Sequence, residues 1–289
     1  MQIGELEYLK PARVDEAIEL LAATNGRGLP LAGGMSLLPD LHLGTKRPNV
    51  IVSLSKVAGL REVSHDGPYL RIGAMITHRM LATDGSVACW APSLSDAAGG
   101  LGDVQVRNRG TIGGSLANAH PGADAATVLA SIGAEVVLRG PEGDRRVAAS
   151  EFVIGTRSTL AHAAELVTAV LVPHHPGARM AYLRYSRIQG NYSTVNAAAL
   201  LTDDGGRVAI GGATHRPVVV EIPLPLRRAG DKDALDALAA ATRAACVGAT
   251  DDHMASSEYR QALAGVLARR VALSALTREK TAREAPWRR

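Results

Sequence analysis

Two glycine pairs, each followed by a serine, are the residues whose types and spacing could bind a ligand. Gly33-Gly34 precedes Ser36 by one residue, and Gly113-Gly114 directly precedes Ser115. Glycines adopt positive φ and turn successive backbone N–H groups into one concavity, while a following helix adds free N–H groups. We expect both segments to follow strands. Each segment could then bind one phosphate, and the two segments together could bind a pyrophosphate. A tight turn, however, explains a single glycine pair equally well.

Other patterns of catalytic or ligand-binding residues are missing from the sequence. It has no P-loop, H-E-x-x-H or G-x-S-x-G, and Gly100-Leu101-Gly102 lacks the third glycine of a dinucleotide-binding fingerprint. Cys89 and Cys246 form no CxxC and are expected as small core residues. The neighbours His174-His175 point to opposite sides of an extended segment, which disfavours a metal site. Glycine segments without an evident catalytic side chain favour a cofactor that brings its own chemistry.

The composition and charge exclude several classes of function. The 289 residues are 46% hydrophobic and 21% charged, which is typical of a globular protein with one large or two modest domains. Residues 278–289 hold five of the basic and two of the acidic side chains, so most of the net charge of +4 lies in this tail. The rest of the chain offers no broad basic face for nucleic acid, and we expect the tail to be solvated. With neither a signal peptide nor a membrane span, the sequence indicates a cytoplasmic protein.

Periodicity and turn residues then indicate the elements that must position the glycine segments. The opening is β-α-β in character, with a helix over residues 11–24 that starts near Pro11, strands at 29–31 and 50–54, and a short helix at 37–41. The middle mixes strands with helices, at 69–73, 77–81, 87–98, 124–132, 135–138 and 165–172. Pro173 and Pro176-Gly177 mark the best boundary. Strands at 181–186, 194–202, 207–211 and 217–222 and helices at 231–246 and 256–277 follow, which predicts an α+β second domain.

Several stretches of the sequence resemble one known family. They are LAGGMSLLP at residues 31–39, QVRNRGTIGGSLAN at 105–118, Ala123-Asp124, ELVTAV at 165–170 and YLRYSR at 182–187 with NYS at 191–193. Through these motifs the chain, from about residue 1 to 275, resembles the FAD-binding medium subunit of the molybdenum hydroxylases. Carbon monoxide dehydrogenase and xanthine dehydrogenase belong to that family.

The resemblance implies a fold and a binding site. The expected fold is α+β, with a two-subdomain PCMH-type FAD-binding domain at residues 1–177 (subdomains of about 1–55 and 56–177) and a C-terminal domain at 178–289 with an antiparallel sheet and terminal helices. FAD is expected to bind noncovalently and in extended form. By position, its pyrophosphate would meet Ala32, Gly33, Gly34, Met35 and Ser36 together with Thr111, Gly113, Gly114 and Ser115. Asn118 and Arg184 would be further contacts, Asp124 would hold the ribose or adenosine end, and Leu166 and Tyr192 would lie near the isoalloxazine.

Some positions depart from the family pattern or admit a second interpretation. The family usually has a carboxylate at His120, often Lys at Arg184, and Asp at Asn191, which bears on the tuning of the flavin and not on FAD itself. His120 could be a surface residue or a covalent attachment point. Asp124 could be only the N-cap of its helix. Leu166 could be plain core, and Tyr192 could belong to a satellite core with Tyr182 and Tyr185.

The resemblance also implies partner subunits. A large subunit would carry the molybdenum cofactor and a small subunit two [2Fe-2S] clusters, in a heterohexamer built as a dimer of heterotrimers. This chain would pass electrons from the clusters through FAD to an external acceptor and would need no catalytic side chain. A free-standing FAD-dependent reductase using NAD(P)H is the alternative, with Ser193 or Glu165 as its proton donor. A flavin-less assembly protein is a third possibility, against which the intact glycine segments argue.

Overall fold

The N-terminal part of the chain is a small parallel sheet with two helices. The computed structural model describes residues 6–188, 190–222 and 231–281. The elements of this part are β1 (Glu7–Leu9), α1 (Val14–Ala23), β2 (Gly28–Leu31), α2 (Leu37–His42) and β3 (Val50–Ser53). Both strand pairs are parallel, in the order β1-β3-β2, which confirms the β-α-β character of the opening.

Helix α1 begins three residues after the position that Pro11 indicated. Its N-cap is Arg13, whose backbone is extended, with φ −125° and ψ 154°. The carboxylate of Glu16 folds back and accepts a hydrogen bond of 2.9 Å from the N–H of Ala12. This contact gives the N–H of Ala12 a hydrogen-bond acceptor outside the helix, so the residues before Arg13 do not join α1. Ala17, Ile18 and Leu21 then pack the helix onto the sheet core.

The middle part is an antiparallel five-stranded sheet with a group of short helices. It consists of β4 (Val63–Asp66), β5 (Tyr69–Gly73), α3 (His78–Thr83), α4 (Gly85–Trp90), α5 (Pro92–Gly99), α6 (Val104–Arg109), α7 (Ile112–Asn118), α8 (Asp124–Ser131), β6 (Glu135–Gly140), β7 (Gly143–Ala148), α9 (Ala149–Phe152), β8 (Val153–Gly155), β9 (Ser158–Thr159) and β10 (Leu166–Pro173). The order is β4-β5-β10-β6-β7, and β8 and β9 form a separate hairpin. Central strand β10 is buried from Leu166 to Val172, which explains its continuous apolar sequence.

Two sequence predictions for the middle part were wrong. The helix expected over residues 87–98 is split into α4 and α5 at Ala91, whose φ of −141° and ψ of 67° lie outside the helical region. Pro92 causes the break, because it disfavours helical geometry in the preceding residue and begins a new helix well. The second glycine segment follows helix α6 rather than a strand, and Gly113, Gly114 and Ser115 lie inside α7.

The C-terminal part is a four-stranded antiparallel sheet covered on both faces. Its elements are β11 (Arg179–Tyr185), β12 (Val195–Leu201), β13 (Gly206–Gly211), β14 (Val218–Ile222), α10 (Lys232–Ala245) and α11 (Ser257–Thr277), with the strands in sequence order. One face packs on α10 and α11. The other face of the sheet packs against α5 and α8 and belongs to the core of the middle part. Its residues in that core are Met180, Tyr182, Ala198 and Leu200. The α+β architecture with an antiparallel C-terminal sheet and terminal helices is confirmed.

Of the C-terminal tail at residues 278–289, which the sequence predicted to be solvated, the structure describes residues 278–281. Arg278 forms an ion pair of 2.8 Å with Asp96, and the Nζ of Lys280 lies 2.7 Å from a carboxylate oxygen of Asp203. The N–H of Thr281 donates to the carbonyl of Ala178 at 2.8 Å. Residues 278–281 are therefore anchored to the body, contrary to the prediction. Residues 282–289 lie outside the described residues.

Candidate functional site

The two glycine segments lie in direct contact. A Cβ at Gly33 would stand 1.8 Å from the carbonyl oxygen of Arg109, so only glycine permits this approach. A Cβ at Gly114 would stand 2.9 Å from Thr111 Oγ1 and 3.4 Å from the Cβ of Ala32. The loop after β2 and the beginning of α7 therefore form one continuous surface, although about 80 residues of chain separate them.

Free backbone donors are found at the first glycine segment. Within the described part of the chain, none of the N–H groups from Gly33 to Ser36 donates a hydrogen bond. Gly33 and Gly34 are buried, and Gly34 has a positive φ of 81°. Buried N–H groups of this kind, with no acceptor among the described residues, are available to an anion.

The second glycine segment works differently from the sequence prediction. The N–H groups of Ile112 and Gly113 donate to the carbonyls of Ile76 and Ala74, and that of Gly114 donates to Thr111 Oγ1 at 3.1 Å. The donors of the first turn of α7 are thus already used, and neither of its glycines has a positive φ. These glycines serve close packing instead, since a Cβ at Gly113 would stand 2.5 Å from the Cβ of Ala74.

A cleft of about 390 Å³ opens at the contact between the glycine segments. This volume is within the range of small-molecule and cofactor sites. All fourteen residues that sequence analysis selected line it: Ala32, Gly33, Gly34, Met35, Ser36, Thr111, Gly113, Gly114, Ser115, Asn118, Asp124, Leu166, Arg184 and Tyr192. Residues from all three parts of the fold therefore meet at one cavity.

Sequence reasoning missed other residues of the cleft wall, among them Lys46, His78, Leu101 and Val106. Burial lowers the pKa of His78 to about 4, so its imidazole is neutral at physiological pH. A Cβ at Gly110 would stand 2.9 Å from this ring, so the glycine makes room for it. The sequence gives no local signal for His78, because its place in the wall depends on the contact with Gly110, 32 positions further along the chain.

Asp124 lies at the first position of α8, and its N-cap is Ala123. Its carboxylate accepts hydrogen bonds from Ser193 Oγ at 2.6 Å and from Asn196 Nδ2 at 3.2 Å. Arg184 stands 3.5 Å away. Burial raises the pKa of Asp124 above its usual value, while the guanidinium of Arg184 and the hydrogen bond from Ser193 oppose that rise. The N-cap interpretation is therefore wrong, and the side chain instead joins the middle part to the C-terminal part.

Arg184 contacts three segments of the protein and holds the chain that follows β11 in place. Its guanidinium donates to the carbonyl of Gly100 at 2.9 Å and to the carbonyl of Asn191, while it faces Asp124. A planar guanidinium reaches several acceptors at once, which a single ammonium does with less fixed geometry. The arginine therefore fits a position that links the loop, α8 and the end of α5.

Tyr192 and Leu166 line the cleft in different surroundings. Leu166 is buried, with 3% exposure, at the start of β10. Tyr192 is 43% exposed and stacks on His120, with ring centroids 3.7 Å apart and 11° between the planes. Tyr182 is buried, and Tyr185 packs edge-on against Tyr259. The three tyrosines therefore do not form the satellite core considered for Tyr192.

The histidine pair and the cysteines lie apart from the cleft. His174 packs against Trp90 with centroids 4.8 Å apart, and His175 Nε2 lies 2.7 Å from the carbonyl oxygen of Ile132. Cys89 and Cys246 are free thiols that pack in two different cores, as expected. In the part of the chain that the structure describes, no group of three or more His, Cys, Asp or Glu is placed to hold a metal ion.

Comparison with known proteins identifies the family and supports the fold. The chain is 34% identical over 288 residues to the carbon monoxide dehydrogenase medium chain of Afipia carboxidovorans, covering 96% of this chain and 99% of that relative. It is 30% identical to the nicotine 6-hydroxylase medium subunit of Paenarthrobacter nicotinovorans, covering 95% and 99%. A family model described as the FAD binding domain in molybdopterin dehydrogenase matches residues 4–175. The chain belongs to the FAD-binding medium subunits of the molybdopterin dehydrogenases.

A solved structure supports the same assignment. The chain superposes on the reconstituted CO dehydrogenase of Oligotropha carboxidovorans with a TM-score of 0.90 and 32% identity, covering 96% of this chain and all of that one. As a medium subunit, this chain is part of the oxidoreductase family that its sequence resembles. None of the helices among the described residues is long and apolar enough to cross a membrane.

The residues of this medium subunit fit an FAD. The buried N–H groups of Gly33 and Gly34 are the donors that a pyrophosphate requires. A side chain at Gly33 or Gly114 would disturb the close contact between the two segments at this end of the cleft. Apolar Leu166 and aromatic Tyr192 supply surfaces for flat rings elsewhere in the same cleft.

Proposed function

We propose that this medium subunit carries FAD noncovalently and passes electrons from [2Fe-2S] clusters of a partner to an external acceptor. The observation that carries the proposal is the cleft at the contact between the two glycine segments, with unpaired backbone donors at one segment and a close approach of the two segments that only glycine permits. Bound FAD would supply reversible one- and two-electron transfer. The chain's own residues then only have to bind, orient and shield the cofactor.

Each part of the cleft has a proposed contact. The pyrophosphate lies between residues 32–36 and residues 111–115. The first segment would bind it through backbone N–H groups, and the second would pack closely beside it. Asp124 faces the ribose or adenosine end, Leu166 and Tyr192 lie beside the isoalloxazine, and Asn118, 3.5 Å from the hydroxyl of Tyr192, is a further contact. Arg184 acts on the cofactor mainly by holding the chain at Asn191, next to Tyr192, since its guanidinium already faces Gly100, Asn191 and Asp124.

The proposal requires partners, because the two cysteines of the chain are too few to hold an iron–sulfur cluster. We propose a large subunit with the molybdenum cofactor and a small subunit with two [2Fe-2S] clusters, assembled as a dimer of heterotrimers. The full-length likeness to the carbon monoxide dehydrogenase medium chain supports this arrangement. Two unpaired thiols agree with a reducing compartment, so we place the complex in the cytoplasm.

We also propose a boundary between two domains at residues 177 and 178, with subdomains of about 1–55 and 56–177 in the first. The turn from β10 to β11 supports this boundary, since the two strands belong to different sheets.

A free-standing NAD(P)H-dependent reductase is less well supported. It would need its own proton donor at the flavin, and sequence analysis offered Ser193 and Glu165. Ser193 is 3% exposed and donates to Asp124. Glu165 accepts two hydrogen bonds from Arg145, at 2.6 and 2.7 Å, and one from the N–H of His162. Arg145 holds the pKa of Glu165 below its usual value, which makes it a poor acid.

Purification of the tagged full-length chain from its native source tests the function. We expect two other polypeptides to co-purify, together with FAD, iron and molybdenum. One of those polypeptides should contain two sets of four cysteines. A chain that purifies alone and couples NAD(P)H oxidation to reduction of its own substrate would support the free-standing reductase instead. A colourless chain that ignores added FAD would contradict both.

A further inference from the structure

His120 covers one face of a ring in the cleft wall. Tyr192 lines the cleft and is 43% exposed, whereas His120, stacked on it at 3.7 Å, is not part of the wall among the described residues. Because the two planes are only 11° apart, His120 covers one face of Tyr192, and His120 itself is not among the described residues that line the cleft. The opposite face is left for whatever enters the cleft.

The backing histidine is itself held in place. The N–H of Gly122 donates to His120 Nδ1 at 3.1 Å. Ala119, at the left-handed φ of 45°, turns the chain out of α7 just before this residue. The carbonyl of Pro121 accepts a hydrogen bond of 2.8 Å from Gly212 in the C-terminal part. His120 therefore stands on a short loop that is fixed on both sides.

The hydroxyl end of Tyr192 has a separate restraint. Asn118 Nδ2 lies 3.5 Å from Tyr192 Oη, and Asn118 Oδ1 lies 3.4 Å from the Arg157 guanidinium. Arg157 in turn forms an ion pair of 2.8 Å with Asp40 of α2. The ring of Tyr192 is thus restrained at its face by His120 and at its tip by a chain of polar contacts that reaches the N-terminal part.

The imidazole in this stack is neutral. Burial and the nearby charge of Arg157 lower the pKa of His120 to about 4, with a smaller contribution from Arg260 and an opposing one from Asp252. A neutral ring adds no positive charge behind Tyr192. The contact between the two rings is therefore one of packing.

We propose that His120 is a positioning residue that fixes Tyr192 as an aromatic wall against the isoalloxazine. This inference rests on the proposed function, which places the flavin ring beside Tyr192. With one face covered by His120, the tyrosine can offer only its other face to the flavin. Aromatic pairs prefer defined relative orientations. A tyrosine ring whose orientation is held by His120 would therefore stack on the flavin in one orientation more often than a freely rotating ring. His120 also closes the space into which Tyr192 could otherwise rotate.

Two substitutions separate the ring of His120 from its hydrogen bond. His120→Phe keeps an aromatic ring but loses the acceptor for Gly122. His120→Asn keeps an acceptor that can reach the N–H two residues on, as asparagine does in turns, but loses the ring. Tyr192→Ala removes the proposed wall itself, and the double variant His120→Asn/Tyr192→Ala tests whether His120 acts through Tyr192.

The readouts are FAD affinity and the fluorescence of bound FAD in the full-length chain, with His120 titration by NMR in the FAD-free chain. A tyrosine in contact with the isoalloxazine quenches flavin fluorescence by electron donation to the excited ring. We expect His120→Asn to raise the fluorescence of bound FAD towards the Tyr192→Ala level and to weaken FAD binding about two- to tenfold, as for loss of one aromatic contact. His120→Phe should behave as the parent, and the double variant should match Tyr192→Ala.

The FAD-free titration reports the contact independently. Tyr192→Ala should uncover the imidazole and raise the pKa of His120 from about 4 towards 6.5.

Different failures lead to different conclusions. If the parent binds FAD and His120→Asn leaves its fluorescence unchanged, the inference is wrong and the proposed function stands. If His120→Phe shows the same change as His120→Asn, the hydrogen bond to Gly122 and not the ring is what matters, which also overturns it. Weaker FAD binding with unchanged flavin fluorescence would place Tyr192 against another part of the cofactor. A parent that binds no FAD would refute the proposed function and this role with it.

Discussion

Ser193 donates a hydrogen bond of 2.6 Å to the buried carboxylate of Asp124. Asp124 begins helix α8 in the middle part, and Ser193 lies just before β12 in the C-terminal sheet. Two further polar partners of Asp124, Arg184 and Asn196, also come from the C-terminal part. One carboxylate in the cleft wall is therefore an anchor between two parts of the fold.

This arrangement predicts two effects for Asp124→Ala. Removing one partner of a buried ion pair leaves Arg184 uncompensated, which should lower the free energy of unfolding by about 3 kcal/mol. FAD affinity should fall about ten- to a hundredfold, the range for a charged hydrogen bond to a ribose hydroxyl. Asp124→Asn, which keeps an acceptor for Ser193, should recover part of the stability. Urea unfolding and FAD titration measure the two effects, and lower stability with unchanged FAD affinity would show that Asp124 is only an anchor.

FAD should be released from the denatured chain. Neither cysteine lines the cleft, and His120 stands behind Tyr192, so neither supplies an attachment point. We expect a yellow full-length chain whose flavin passes an ultrafiltration membrane after denaturation. Flavin retained on the polypeptide would contradict noncovalent binding. The peptide that contains His78, a histidine in the cleft wall, would then be the first to map.

Gly114→Val should abolish FAD binding while the chain still folds. The added side chain would enter the space between Thr111 and Ala32, where even a Cβ meets atoms at 2.9 and 3.4 Å. Loss of the Thr111 cap would cost about 1 kcal/mol of stability, which a folded domain tolerates. Gly85→Val is the matched control, since Gly85 also lies in the first turn of a short helix and a Cβ there meets nothing within 4 Å. Circular dichroism checks that the variant folds, and FAD titration measures its binding. A folded Gly114→Val variant that binds FAD like the parent would contradict the proposed binding site.

The Arg145–Glu165 pair predicts a dependence of stability on pH. Arg145 lowers the pKa of Glu165 from its ordinary 4.5, so the pair stabilises the fold above that value and the contribution is lost as the pH falls through the lower, folded-state pKa. Glu165→Gln should reduce the unfolding free energy at pH 7 by up to about 1 kcal/mol. The difference from the parent should vanish at strongly acidic pH. Glu151→Gln, at an exposed position of α9, is the control and should show no such difference.

Tyr192→Ala should retain FAD but expose it. A tyrosine in the cleft wall shields one side of the flavin, so its removal should speed reoxidation of the reduced flavin by oxygen. We expect electron entry from the proposed iron–sulfur partner to change less, on the hypothesis that these electrons would enter at another edge of the flavin. Stopped-flow mixing of the reduced chain with oxygen measures the rate. Identical rates and flavin spectra in parent and variant would make Tyr192 a packing residue.

The sequence by itself determined much of the order of the elements and fourteen of the residues that line the cleft. Apolar periodicity and turn residues are local properties, so the β-α-β opening, the buried strand β10 and the C-terminal sheet were predictable. The motifs around Gly33-Gly34 and Gly113-Gly114 carried the family resemblance, and all fourteen chosen residues reached one cavity.

Only the tertiary structure decided how these residues work. The sequence predicted that Gly113 and Gly114 follow a strand, yet they lie inside α7, where the N–H of Gly113 donates to the carbonyl of Ala74 and that of Gly114 donates to Thr111 Oγ1. From the sequence, Asp124 could be a cofactor contact or only a helix cap, but its partners lie about 60 to 70 positions further along the chain and no local pattern indicates them. The same holds for His120 and Tyr192, whose rings meet across 72 positions. Contacts of this kind depend on how the sheets and helices pack together, and no local pattern in the sequence records them.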